Sequence, residues 1–282
     1  MRLLPVLSVC LSALLLGACQ PAANQSPAAP QAASATTPDA APAANPAPSP
    51  DCHFTIGFDA WEPYQYIDVG NEVSGLDIEI ARQLLDNMNC TATFRAGTWV
   101  ALLSELRSGQ VDILLGASQT PARQEFAFFS EPYRTEQYSL YVRKDELADM
   151  SYASVASFIE DGKRVGVVED YYYGPQVSML RDGIATTKYF VSAIIGELNI
   201  ARLLDKNIDG FLDDTYVGAA FIRRKALGDY IAAQGLIIDS GDAHFMFSKQ
   251  SVSPEQVAAF NQALQQAKAN HELEAIFGRY RQ

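Results

Sequence analysis

The stretch "GASQTPAR", Gly116 to Arg123, closes the apolar run "VDILL" with small residues, a hydroxyl and an arginine. Gly116 and Ala117 allow a bound group to approach the backbone closely, and Ser118 offers a hydroxyl donor. Thr120 and Pro121 are the cap and first position of a helix, so Arg123 lies one turn in. A planar guanidinium there can grip a carboxylate through two hydrogen bonds. An Arg123 merely paired with Glu125 or Glu131 on the surface would contribute under ~1 kcal/mol. A second apolar run, "IDGFLDD", ends in Asp213 and Asp214, and ligands of open α/β sheets sit beyond such strand ends. Trp61 and Trp99, the 2 tryptophans of the chain, follow the first predicted strand and open a predicted helix near the same mouth. Asp59 stands at the tip of that first strand.

Enzyme motifs are not evident. His53, His244 and His271 are scattered, and His271-Glu272 is not followed by the second histidine of a zinc helix. No Gly-x-Ser-x-Gly elbow occurs. No metal cluster is expected, and no cofactor.

These residues need elements to position them. From Asp51 onward strands and helices alternate. "HFTIGF", "TATFRA" and "VDILLGA" read as strands; "GLDIEIARQLLDNM" and "WVALLSELRSG" read as helices, the second closed by Gly109. "YSLYVRK" is a further strand. A second series follows: strands "KRVGVVE", "TKYFV" and "IDGFLDD" with helices "YGPQVSMLRDG", "AIIGELNIARLLDK" and "YVGAAFIRRKAL". "AHFMFSK" returns as a strand, and two helices finish the chain. The expectation is an α/β fold of two lobes, each a mostly parallel sheet flanked by helices.

The N-terminus reads differently. "MRLLPVLSVCLSALLLGAC" has one arginine, an apolar run too short to span a bilayer, and small residues. It is a secretory leader, 1–18. Its end, "LLLGAC", resembles a bacterial lipobox, which implies cleavage before Cys19 and lipidation of its sulfur; an ordinary cut near Ala18 is the alternative. Residues 20–50 are mostly Ala and Pro without an aromatic and read as a tether, spanning roughly 30 Å as a flexible coil and roughly 95 Å extended. The net charge of -12 is a poor match for nucleic acid. Cys52 and Cys90 precede the first and second strands. Equivalent starts of adjacent parallel strands would bring them together, and an oxidising compartment favours their disulfide.

Four segments together, "FDAWEPYQYI", "VSGLDIEIARQL", "LLSELRSGQVDILLGASQTPARQEFAFFSEPY" and "IDGFLDDTYVG", resemble the periplasmic solute-binding proteins of ABC transporters, in the polar amino-acid-binding group. The resemblance runs from about Thr55 to Tyr280. It implies a two-lobed fold with lobe 1 at 51–141 and 242–282, lobe 2 at 142–241, and hinge crossings near Leu140–Arg143 and Ile238–Ala243. Such proteins close over a ligand like a hinge.

A free amino acid brings a carboxylate and an ammonium into a cleft that excludes water, and both must be satisfied. The resemblance maps the carboxylate grip onto Arg123 and the ammonium acid onto Asp214, with Asp213 expected to point away; Asp214 as cap of the next helix is compatible with that role. Trp61 matches a ring that stacks on the ligand. Asp77 matches a common acidic position and reads equally as a helix N-cap. "GASQTPAR" is one residue shorter than in many relatives, so Ser118, Thr120 and Arg123 are anchored while Gly116 and Ala117 are not matched individually. Where relatives carry a Gly-Thr-Thr-like turn, this chain has "VVEDYYYGP". Asp170, Tyr171 and Tyr172 are candidate contacts there, and the extra acids favour a cationic side chain.

The expectation is a monomeric, lipid-anchored periplasmic protein that captures a polar amino acid and delivers it to an ABC permease. A ligand sensor for a membrane signalling partner is the alternative. A periplasmic dehydratase, with Glu169 or Asp170 poised over a ring, is a weaker one; a fused lyase would need sequence beyond Gln282.

Overall fold

The computed structural model describes residues 52–280; the leader, Cys19 and the tether lie outside them. The first lobe opens with β1 (His53–Phe58), a small hairpin of β2 (Tyr66–Ile67) and β3 (Val73–Ser74), α1 (Leu76–Asn87), β4 (Thr91–Ala96), α2 (Trp99–Ser108) and β5 (Ile113–Ser118). A four-residue helix α3 (Pro121–Gln124) and β6 (Ala127–Phe129) lead to the long strand β7 (Arg134–Arg143). The second lobe holds α4 (Val155–Glu160), β8 (Val165–Val168), α5 (Pro175–Asp182), β9 (Phe190–Ala193), α6 (Gly196–Leu204), β10 (Gly210–Asp214) and α7 (Thr215–Arg224). The longest strand, β11 (Ile231–Ser248), returns to the first lobe, where α8 (Pro254–Ala269) and α9 (Glu272–Tyr280) pack.

The strand order is β4-β1-β5-β11-β7-β10-β8-β9. Pairing is parallel at β1–β4, β1–β5, β8–β9 and β10–β8. The central pairs involving β7 and β11 are antiparallel. Thus each lobe has the expected parallel layer, and two long antiparallel strands carry the chain across. Side chains explain the layering. Phe54, Ile56, Leu84, Phe245, Phe260 and Leu264 form one core of the first lobe; Leu102, Leu106, Val111, Leu114 and Met246 form the core on its other face. The second lobe buries Leu140, Phe158, Val165, Val167 and Leu212 on one face and Tyr141, Leu203 and Phe211 on the other.

Local chemistry places the elements. Thr98 caps α2 by accepting the Ala101 N–H at 3.4 Å, and Ser253 and Gln256 form a capping box at α8. Gly75 precedes α1 at φ 124, where a Cβ would stand 2.3 Å from the Tyr64 carbonyl oxygen. Only glycine fits there.

Three expectations shift. The first crossing lies earlier than Leu140–Arg143, because Tyr138 to Val142 already pair with β10 while Arg134 to Glu136 pair with Ala243 to Gly241. The strand read as "TKYFV" begins at Phe190, after a 3-10 turn at Thr187–Tyr189. The strand read as "AHFMFSK" extends back to Ile231 through register shifts near Gly235 and Gly241 that blur its alternation.

Cys52 and Cys90 are disulfide-bonded with Cα atoms 4.8 Å apart, as the parallel register His53–Thr91 beside them requires. The bond closes a sequence separation of 38 residues. A loop of that size predicts that Cys52→Ser/Cys90→Ser lowers unfolding stability by about 2–4 kcal/mol, measured by denaturant titration. The two thiols of the native protein should react with alkylating agents only after reduction.

Candidate functional site

The ends of β1 and β5, the starts of α2 and α3, and the turn after β8 converge between the lobes. Trp61 is buried beyond β1, and Trp99 is the first residue of α2. Thr120 caps α3 through the Arg123 N–H at 3.3 Å, with Pro121 at the first position. Arg123 is buried under this cap. Its Nη1 donates to the Ser118 carbonyl at 2.9 Å and its Nη2 donates across the cleft to the Asp170 carbonyl at 2.7 Å. Its guanidinium lies 5.2 Å from the Trp99 ring centroid. The arginine therefore aims donors at an oxygen between the lobes.

Asp170 itself is a left-handed residue, φ 59, with its side chain toward solvent. Its carbonyl also accepts from Trp99 Nε1 at 3.3 Å. Tyr171 follows, and its hydroxyl donates to Asp59 Oδ2 at 3.3 Å. Burial raises the Asp59 carboxyl above its ordinary range. Tyr172 lines the same cavity, whereas Tyr173 packs into the second lobe, its hydroxyl accepting the Val168 N–H at 2.7 Å. The small cavity here has a volume of about 20 Å³; Asp59, Trp61, Trp99, Gly116, Ser118 and Arg123 line it.

Gly116 forms the floor at φ 64. A Cβ would meet Arg134 Nη2 at 2.9 Å and Asp77 Oδ2 at 3.2 Å. Under it lies a cluster that no sequence motif announces. Arg134 grips Asp77 with two bonds of 3.1 Å and lies 4.0 Å from the Tyr64 ring centroid. Glu136, two residues along β7, faces the same way. Its Oε2 accepts from Tyr138 and Ser240 hydroxyls at 3.2 and 3.1 Å. Glu136 Oε1 and Arg134 Nη1 stand 3.8 Å apart, each without a hydrogen-bond partner among the described residues. Glu136 lines the small cavity. Burial pushes its carboxyl up to about 7, against the lowering effect of Arg134.

The expected residues therefore divide. Asp59, Trp61, Trp99, Gly116, Ser118, Arg123, Tyr171 and Tyr172 come together around one cavity. Ala117 is buried in the first-lobe core. Asp77 is neither the cap, a position held by Gly75, nor a wall of the cavity; it is the partner of Arg134. Asp214 caps α7 by accepting the Tyr216 and Val217 N–H groups at 2.8 and 3.1 Å and lies 3.5 Å from the Tyr64 hydroxyl. Asp213, expected to point away, instead faces a second cavity of about 210 Å³ with Asp59, Trp61, Tyr171 and Glu197. The alternation of β10 puts one of the two acids on each face, and the face toward this cavity belongs to Asp213. Burial raises Asp213 well above its ordinary range, and Asp214 beside it adds to the rise.

The model of the bacterial extracellular solute-binding proteins, family 3, matches residues 54–282. The chain is 24% identical over 228 residues to the putative ABC transporter arginine-binding protein 2 of Escherichia coli (strain K12), covering 78% of this chain and 87% of that one. An ancestral arginine-binding protein bound to arginine matches in structure at TM-score 0.70 and 18% identity, over 82% of this chain and 98% of that one. A histidine kinase sensor domain with similarity to periplasmic binding proteins matches at TM-score 0.69 and 22% identity, over 81% and 96%. The structural likenesses establish the fold, that of the two-lobed periplasmic binding proteins.

The buried cluster has two consequences for stability. Arg134→Met strands Asp77 in the interior and is expected to lower unfolding stability by about 3–5 kcal/mol, read by denaturant titration. Glu136 has a folded pKa raised from 4.5 to about 7, so the folded protein keeps a proton that the unfolded chain releases. The stability this proton contributes is complete below pH 4.5 and is lost as pH rises through about 7. Glu136→Gln should flatten that part of the stability–pH profile.

Proposed function

The chain belongs to the bacterial extracellular solute-binding proteins of family 3, and from that premise we propose that it captures a polar amino acid with a cationic side chain between its lobes and delivers it to an ABC permease. The observation that carries the reading is Arg123, a buried guanidinium whose Nη2 points across the cleft at a carbonyl oxygen 2.7 Å away. An α-carboxylate is the ligand group that suits it. The ammonium belongs beside Glu136 Oε1, which is buried and without a partner among the described residues, with the Ser118 hydroxyl close by. Asp214 lies behind this position as a second source of negative potential.

The choice of a cationic side chain rests on charge. Asp59, Glu197 and Asp213 surround the larger cavity, while Arg224 beside it is already tied to Glu62. The arginine-binding relative points the same way. Lipidation at Cys19 would anchor the protein to the membrane on its periplasmic side, with the two-lobed domain free to meet the permease. Ligand would favour the closed state that the permease recognises.

A sensing role is the second reading, favoured by the fold likeness to a histidine kinase sensor domain. Uptake of labelled arginine by cells with and without the protein separates the two: transport is lost only in the first reading.

A thermal-shift screen against the common amino acids tests the binding itself. L-Arginine at 100 times its dissociation constant should add about 2.7 kcal/mol of stability. Arg123→Ala should remove the shift, and Arg123→Lys, which keeps the charge but not the fork, should weaken binding roughly 10- to 100-fold. A shift undiminished in Arg123→Ala would refute the carboxylate assignment.

A further inference from the structure

Two residues of the chain itself occupy the place assigned to the ligand. The Asp170 carbonyl oxygen sits on Arg123 Nη2 at 2.7 Å, as a ligand carboxylate oxygen would. The next side chain, Tyr171, enters the slot between the two tryptophans. Its ring meets Trp61 at 6.2 Å and Trp99 at 6.1 Å, edge-on to both with interplanar angles of 79° and 86°. Its hydroxyl ends on Asp59. Tyr171 packs against both cores of the first lobe as well as one core of the second. What remains beside it is about 20 Å³, room for about one water and for no amino acid. Tyr171, Trp61 and Asp59 line both this cavity and the one of about 210 Å³. Tyr171 thus stands, with Trp61 and Asp59, on the wall shared by the two spaces.

We infer that Asp170–Tyr171 is a built-in surrogate of the ligand, and that Tyr171 determines which ligand can replace it. This rests on the proposed function. The incoming molecule must take Arg123 from the Asp170 carbonyl and must refill the tryptophan slot with a flat group of tyrosine's reach that donates to Asp59. An arginine side chain does both, because its guanidinium is planar, faces aromatic rings well and carries donors at its far end. Glycine and alanine reach neither the slot nor Asp59, so they cannot stand in for the tyrosine once it leaves. An acidic side chain sets a carboxylate against Asp59. The left-handed backbone of Asp170 is the twist that aims carbonyl and ring at once. Since the surrogate's bonds cross the cleft, it also holds the lobes together until ligand takes its place.

The test compares the purified protein with Tyr171→Ala and Tyr171→Phe. The chain's 2 tryptophans both flank Tyr171, so acrylamide quenching of their fluorescence reads occupancy of the slot without any ligand. The native protein should be shielded and Tyr171→Ala should be quenched several-fold more strongly; equal quenching overturns the inference. In titrations, removal of an intramolecular competitor should tighten L-arginine binding roughly 10-fold or more and admit glycine. Tyr171→Phe, which gives up only the Asp59 hydrogen bond, should fall between. If Tyr171→Ala binds arginine more weakly than the native protein, Tyr171 is an ordinary contact residue and the surrogate is refuted, while the proposed function stands. If none of the three binds any amino acid, the proposed function fails, and the surrogate, resting on that reading, fails with it. Should Tyr171→Ala not fold, the arginine affinity of Tyr171→Phe decides: tighter supports the surrogate, weaker overturns it.

Discussion

A cleft that excludes water can hold charge only where each charge has a partner, and the site of this protein is arranged around that constraint. Arg123, Arg134 and the carboxyls of Asp59, Asp77, Glu136, Asp213 and Asp214 meet near the junction of the lobes. Arg134 and Asp77 satisfy each other under Gly116. Asp214 is satisfied by the N-terminus of α7. What is left over defines the site: donors on Arg123 that reach for oxygen across the cleft, and one oxygen of Glu136 without a partner among the described residues. Burial raises the carboxyls of Asp59, Glu136, Asp213 and Asp214 above their ordinary ranges, so a cation brought among them is favoured.

The fold makes this accumulation tolerable by delivering the groups from separate elements. β7 supplies Arg134 and Glu136 at the point where it leaves the first lobe, and β11 runs beside it to supply Ser240. Movement of one lobe against the other therefore acts on the floor of the site directly. The contacts that cross the cleft are Tyr171 to Asp59, Trp99 and Arg123 to the Asp170 carbonyl, and Arg224 to Glu62. A binding event that exchanges these for contacts with a ligand is coupled to closure by geometry alone.

Much of this is legible in the sequence where the signal is local. The alternation of strands and helices, the Thr120-Pro121 cap with Arg123 behind it, and the equivalent positions of Cys52 and Cys90 each depend on residues close in sequence or on one parallel register. The floor is not legible. Arg134 and Asp77 are 57 positions apart, and nothing around Arg134 distinguishes it from a surface arginine on an edge of a strand. Glu136 likewise takes its meaning from Ser240 and Ser118, brought together by the two crossings. The neighbours Asp213 and Asp214 are both buried, one on each face of β10, and Asp213 turns to the larger cavity because a strand's two faces cannot be told apart in sequence when both are buried. The Tyr turn is conspicuous in the sequence, but its side chains acquire a role only once the second lobe lies against the first.

Charge balance makes one demand that shape alone does not. Placing an ammonium beside Glu136 must drive off the proton that burial keeps there near neutrality. Calorimetric titration of the protein with L-arginine at about pH 6.5, just below the raised Glu136 value, in two buffers of different ionisation enthalpy, measures that proton directly. The expected result is one-to-one binding with a heat that changes with the buffer in the sense of proton release, and with that change gone in Glu136→Gln. Binding whose heat is the same in both buffers would contradict the placement of the ammonium, and so would the absence of binding.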